Sequence, residues 1–131
     1  MNKVGEHMCT RIYSIKHDGY AYEAVDEMYK NKVSALLVEK DGEYVGIITK
    51  TDWMHLNLKG ECDPRAVTIA SLMTKISNTI DEKQTVAEAG AIVEKHGIRH
   101  IPVTRNGKIV GMFSVKDLEN YYLKLHNKTN F

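Results

Sequence analysis

The chain has 131 residues, 43% of them apolar and 27% charged, with 18 Lys and Arg set against 17 Asp and Glu for a formal charge of +1. That length suits one domain able to bury about two-thirds of its unfolded surface, and the composition excludes a disordered tail, a collagen-like repeat and a disulfide scaffold. The balanced charge gives no pull toward nucleic acid or an anionic membrane surface. Cys9 and Cys62 lie far apart with no C-x-x-C spacing, and read as incidental thiols rather than a metal knuckle or a redox pair. The N-terminal residues lack the apolar core of a signal peptide, and no run approaches the ~20 apolar residues of a membrane span. The expectation is a soluble, cytoplasmic protein.

In chain order, the ends at residues 1–3 and 127–131 are expected to fray. After a short helical turn and a strand, Ala21, Ala24, Val25 and Met28 mark the buried face of a helix by their i, i+3, i+4, i+7 spacing. Strands are predicted over 33–38 and 44–48, joined through Asp41-Gly42, and a helix over 50–58. Residues 59–65 carry Gly and Pro without an apolar period and read as a loop. The order then returns. Thr85-x-x-Glu88 is a capping box, and the helix it opens should stop at Gly97. Strands follow over 98–104 and 108–113, joined through Asn106-Gly107, and then a helix over 115–126.

This recurrence is an internal repeat with a period of 65 residues. Twelve positions are identical without gaps, where composition alone would give about 4. They sit at turns, core positions and one acid, including Met8/Met73, Ile15/Ile80, Gly42/Gly107, Gly46/Gly111 and Asp52/Asp117. The predicted fold is α/β: two β-α-β-β-α repeats, residues 1–65 and 66–131, related by a pseudo-twofold and packed sheet to sheet in one compact module.

Three motifs, each present twice, make the chain resemble the tandem CBS-domain pair, or Bateman module. Gly46-Ile47-Ile48-Thr49-Lys50-Thr51-Asp52 and Gly111-Met112-Phe113-Ser114-Val115-Lys116-Asp117 carry Gly-h-h-(Thr/Ser)-x-x-Asp. Ile98-Arg99-His100-Ile101-Pro102-Val103 matches h-x-x-h-Pro-Val, while residues 33–38 depart from it with Leu37 in place of Pro. Met73-Thr74 matches Met-Thr before the first strand, and Met8-Cys9 loses the hydroxyl. The resemblance implies a regulatory module that binds AMP, ADP, ATP or S-adenosylmethionine in clefts between the repeats. It implies ribose contacts from Asp52 and Asp117, ribose or phosphate contacts from Thr49 and Ser114, and phosphate contacts from Ser34, Arg99 and His100. It also implies a homodimer and, with no catalytic motif present, a non-enzyme that signals to a separate protein. The chemistry is compatible: a carboxylate can accept from both hydroxyls of a cis-diol, a helix N-terminus offers N–H groups to an anion, and a guanidinium forks onto phosphate.

Plainer readings stand beside these. Thr49-x-x-Asp52 and Ser114-x-x-Asp117 are equally helix caps. Arg99 and His100 also suit solvent-facing strand positions. His96 and His100 have a metal-like spacing, but Gly97 interrupts it and no third ligand is near. Trp53, Tyr121 and Tyr122 read as core or interface groups rather than a base-stacking platform. A CBS pair that binds no ligand and acts by dimerisation is the alternative function.

Overall fold

The residues that alternate apolar and polar between the two turn signals form strands, and those with a helical period form helices. In the computed structural model, which describes residues 1–60 and 63–129, these elements make an α/β fold. Among the described residues there are two sheets and five α-helices. No described helix is long and apolar enough to cross a membrane.

The contacts divide the chain into two units, residues 13–77 and residues 1–12 with 78–131. The first unit contains β1 (Ser14–Lys16), α1 (Ala21–Asn31), β2 (Ala35–Lys40), β3 (Glu43–Thr49), α2 (Lys50–Lys59), α3 (Ile69–Leu72) and β4 (Thr74–Lys75). Its sheet has the order β1-β2-β3-β4, with β1 parallel to β2 and the other pairs antiparallel. The β2–β3 hairpin turns at Asp41 (φ 53°) and Gly42 (φ 79°), two successive left-handed residues, as the Asp-Gly pair predicts. Ala24 and Met28 of α1 pack on Leu36, Val38, Ile48 and Ile69, with Val25 at the margin of this core.

The second unit contains β5 (Ile80–Asp81), α4 (Val86–His96), β6 (His100–Arg105), β7 (Lys108–Ser114) and α5 (Val115–Thr129). Its sheet has the order β5-β6-β7, parallel then antiparallel. Thr85 and Glu88 close the capping box of α4, and Gly97 ends that helix at φ 62°. Val86 and Ala89 face Ile80, Ile101, Val103 and Phe113.

The expectation that residues 1–3 fray is overturned at Asn2 and Lys3, where the Asn2 carbonyl accepts from Val86 N–H and Lys3 bridges to Thr85. Val4 is fully buried in the core of the second unit, and Val4–Glu6 form a 3-10 turn. The segment is held by backbone bonds that no side-chain pattern advertises: Val4 N–H to Gln84 O (2.8 Å), Gly5 N–H to Glu82 O (2.9 Å) and Val86 N–H to Asn2 O (2.8 Å). Further along, Cys9 and Met112 exchange two bonds of 2.9 Å across an antiparallel bridge. Residues 66–77 do the same for the first unit. Ala21 N–H donates to Val67 O (2.8 Å), Ile69 is fully buried, and Thr74 pairs with Ile47. Each compact unit is therefore a repeat completed by the leading arm that precedes the other repeat in sequence.

Both arms seat a methionine on a strand glycine. A Cβ on Gly111 would lie 2.5 Å from Met8 Sδ and 3.0 Å from the Cys9 carbonyl oxygen, and one on Gly46 would collide with Met73 Sδ and lie 3.0 Å from the Thr74 oxygen. Two further expectations change at their edges. Helix α5 runs on through Thr129, and α2 takes in Lys59 before Gly60 stops it in a left-handed conformation. Cys62 and residues 130–131 lie outside the described residues.

Candidate functional site

Each hairpin delivers its second strand straight into a helix, and the junction gathers the residues the motifs single out. In the first unit β3 ends at Thr49 and α2 begins at Lys50. The Asp52 N–H donates to Thr49 Oγ1 (3.3 Å), while Asp52 Oδ2 accepts from the Thr49 N–H (2.8 Å) and hydroxyl (3.1 Å). Ser34 stands across the strand pair: its carbonyl accepts from Lys50 N–H at 3.0 Å, and its neighbour Ala35 is the register partner of Thr49.

The second unit repeats this construction 65 residues on. The Asp117 N–H donates to Ser114 Oγ (3.3 Å), and Asp117 Oδ2 accepts from the Ser114 N–H (2.9 Å) and hydroxyl (3.0 Å). The Arg99 carbonyl accepts from Val115 N–H at 2.9 Å, and His100 is the register partner of Ser114. Thr49, Asp52 and Ser34 thus assemble in one unit, and Ser114, Asp117, Arg99 and His100 in the other.

The capping reading of both hydroxyl–carboxylate pairs holds. It uses one carboxylate oxygen: every recorded bond goes to Oδ2, and among the described residues Oδ1 of Asp52 and of Asp117 accepts none. A cap places a negative group where the helix dipole is positive, with an oxygen left to accept from a ligand hydroxyl. Of the first-turn N–H groups, those of Lys50, Asp52, Val115 and Asp117 are taken up within the protein.

The junctions differ in charge. Ser34 and Ala35 occupy the positions that Arg99 and His100 hold in the second unit. Burial pushes the His100 imidazole below the ordinary histidine value. The Arg99 charge works in the same direction and the Asp117 carboxylate in the opposite one. His100 is half-buried and Arg99 exposed, so the plain strand-residue reading describes Arg99 better than His100. Gly97 separates His96, at the end of α4, from His100 on β6. Among the described residues no group of three His, Cys, Asp or Glu side chains is placed to hold a metal.

The arms are what sequence reading missed at these junctions. The Cys9–Met112 and Thr74–Ile47 pairs flank β7 and β3 just before Ser114 and Thr49. The signal was present in the paired identities Met8/Met73 and Gly46/Gly111, since each unit seats the methionine of one repeat on the glycine of the other.

The family description of the CBS domain matches this sequence twice, over residues 4–58 and 69–124. An uncharacterized 17.7 kDa protein of Acidianus ambivalens is 30% identical over 126 residues, covering 95% of this chain and 75% of that protein. The mitochondrial CBS domain-containing protein CBSX3 of Arabidopsis thaliana is 28% identical over 85% of this chain and 56% of its own length. The inosine-5'-monophosphate dehydrogenase of Nitrosopumilus maritimus is 30% identical over 92% of this chain, which spans 24% of that enzyme. Among solved structures, an uncharacterized conserved protein from Pyrococcus horikoshii superposes with a TM-score of 0.85 at 25% identity, covering 92% of each chain. The structure of CBSX2 in complex with AMP shares the fold at a TM-score of 0.79 and 20% identity, covering 96% of this chain and 99% of that one. With two matches that together take in most of the sequence, and a fold that carries both, the chain belongs to the CBS domain family.

Proposed function

We propose that the chain is a cytoplasmic regulatory module that binds an adenine nucleotide and passes its occupancy to a separate partner protein, with no catalysis of its own. In this reading Asp52 and Asp117 receive ribose hydroxyls and Thr49 and Ser114 flank them. Arg99 and His100, with Ser34 in the other repeat, meet phosphate. The observation that carries the reading is the twofold recurrence of one arrangement: a capped helix N-terminus whose acid keeps an oxygen uncommitted, at the same register in both units. A fold of the same kind in complex with AMP makes AMP the first ligand to test, with ADP, ATP and S-adenosylmethionine beside it.

A thermal-shift and calorimetric series over adenosine, AMP, ADP, ATP, S-adenosylmethionine and NAD tests this. A ligand bound only by the native state, at a hundred times its Kd, adds about 2.7 kcal/mol of stability. Arg99→Ala should weaken AMP and ATP while sparing adenosine. No stabilisation by any of the six would turn the reading to self-association without a ligand. That second reading is favoured by exposed apolar side chains on two helices: Met54 and Leu58 on α2, and Tyr122 and Leu123 on α5. Either way we expect a twofold homodimer, since a self-complementary patch closes most simply as a pair. Light scattering showing a monomer at tens of micromolar would exclude it.

A further inference from the structure

Resting on the nucleotide reading above, we propose that the β6–β7–α5 junction takes up a phosphorylated nucleotide together with a proton on His100, and that the β2–β3–α2 junction has no group to do so. The two junctions share a backbone, a hydroxyl and a carboxylate, so the charged pair in one of them is the variable. His100 stands opposite Ser114 in the hairpin, beside the opening of α5, and Arg99 precedes it with its carbonyl bonded to Val115 N–H. Residues 99 and 100 thus lie at the start of α5, so an imidazole-bearing and a guanidinium-bearing residue stand at one helix end, which the first unit lacks.

Arg99, on its own strand approach, and Asp117, in the first turn of α5, act on His100 in opposite senses. Helix α4, which packs on β6, ends in Lys95 and His96, both exposed. In the free protein burial and Arg99 together disfavour the imidazolium. A phosphate at the junction supplies the opposite charge and takes up the field of Arg99, so the protonated form becomes the better partner. Adenosine presents the same base and ribose without the anion and should leave His100 as it was. At Ala35 there is no side chain to protonate.

By linkage, the proton and the phosphate must favour each other equally. A bound-state pKa raised by one unit makes AMP bind about tenfold more tightly below the free-state value than above the bound-state value, apart from the ionisation of the phosphate itself near pH 6.

The test is an NMR pH titration of the imidazole Cε1–H signals of the full chain, free, with saturating adenosine and with saturating AMP, the His100 signal being assigned by its loss in His100→Asn. We expect His100 to titrate below 6.5 in the free chain. With AMP its pKa should rise by about one unit or more, and with adenosine it should not move. Calorimetric affinities of wild type and His100→Asn across pH 5.5 to 8 give a second readout. Both carry the phosphate's own ionisation, so their difference isolates the imidazole. AMP binding that saturates while the His100 pKa stays in place overturns this proposal alone. An equal rise with adenosine overturns it too. The absence of saturable binding by AMP, ADP and ATP alike overturns the nucleotide reading and this proposal with it; where only ADP or ATP binds, it takes the place of AMP in the titration. Should His100→Asn fail to fold, the contrast between AMP and adenosine in the wild-type chain still decides.

Discussion

Replacing Gly111 with alanine should destabilise the second unit, and the geometry says by what route. The added methyl would sit 2.5 Å from Met8 Sδ and 3.0 Å from the Cys9 carbonyl oxygen, where carbon normally keeps about 3.5–4.0 Å from its neighbours. The thioether can swing aside at the cost of its packing. The carbonyl cannot, because it holds the 2.9 Å bond from Met112 N–H. Gly111 has no left-handed conformation to defend. The substitution therefore gains about 0.4–1 kcal/mol from a stiffer unfolded chain and loses about 1–3 kcal/mol to overpacking. A net loss of about 1–2 kcal/mol follows. At about 3–6 °C per kcal/mol for a domain of this size, Tm should fall by roughly 3–12 °C. In urea the midpoint should drop with an unchanged slope. The diagnostic experiment is a double-mutant cycle with Met8→Ala, which removes the colliding sulfur. Met8→Ala should cost less in the Gly111→Ala background than in wild type, a coupling of about 1 kcal/mol, with the remainder left by the carbonyl. A Gly111→Ala chain as stable as wild type, or strictly additive effects, would refute the arm-on-glycine argument. Gly46→Ala with Met73→Ala should behave alike.

Three further outcomes are expected. Asp117→Asn and Asp52→Asn should each weaken adenosine-ligand binding by about 1–3 kcal/mol through loss of a charge-assisted bond, and should hardly alter the weaker binding of 2′,3′-dideoxy analogues; equal losses for both ligand types would mark a folding effect. Val4→Ala should cost about 2 kcal/mol in urea denaturation, the value for a buried side chain losing two methyl groups, whereas a frayed terminus would cost nothing measurable. Because His100 titrates below its ordinary 6.5 in the folded chain, the unfolded chain binds more protons there, so stability should fall as pH drops through 6.5 toward the lowered value; His100→Asn should remove that part of the decline, and parallel curves for the two proteins would contradict the burial argument.

The elements and the junctions were legible because their determinants are local. Asp41-Gly42, Asn106-Gly107, Thr85 with Glu88 and Gly97 each act within a few residues of themselves, and each does what its chemistry requires. Thr49 with Asp52 and Ser114 with Asp117 could be recognised as caps for the same reason. The arms were hidden because their attachment is made by main-chain amides and carbonyls, which every residue owns. Asn2, Gly5 and Cys9 have nothing in their side chains that announces a backbone partner at Val86, Glu82 or Met112. What hint there was lay in the matches Val4/Ile69 and Met8/Met73, and two apolar positions in each arm are too few to form a period.

The completion of one unit by residues 1–12 has a consequence during synthesis. Residues 13–77 are contiguous, so that unit has all its parts once Ser77 has emerged. The N-terminal arm, by contrast, leaves the ribosome before everything it packs on, and the strand that pairs with Cys9 ends only at Ser114. At about 5–20 residues per second the interval is roughly 5–20 s, in which Val4 and Met8 are apolar groups without their native partners. A substitution that slows the formation of β6 and β7 lengthens that wait, and its effect will register as aggregation in the cell before it registers as lost stability in the test tube.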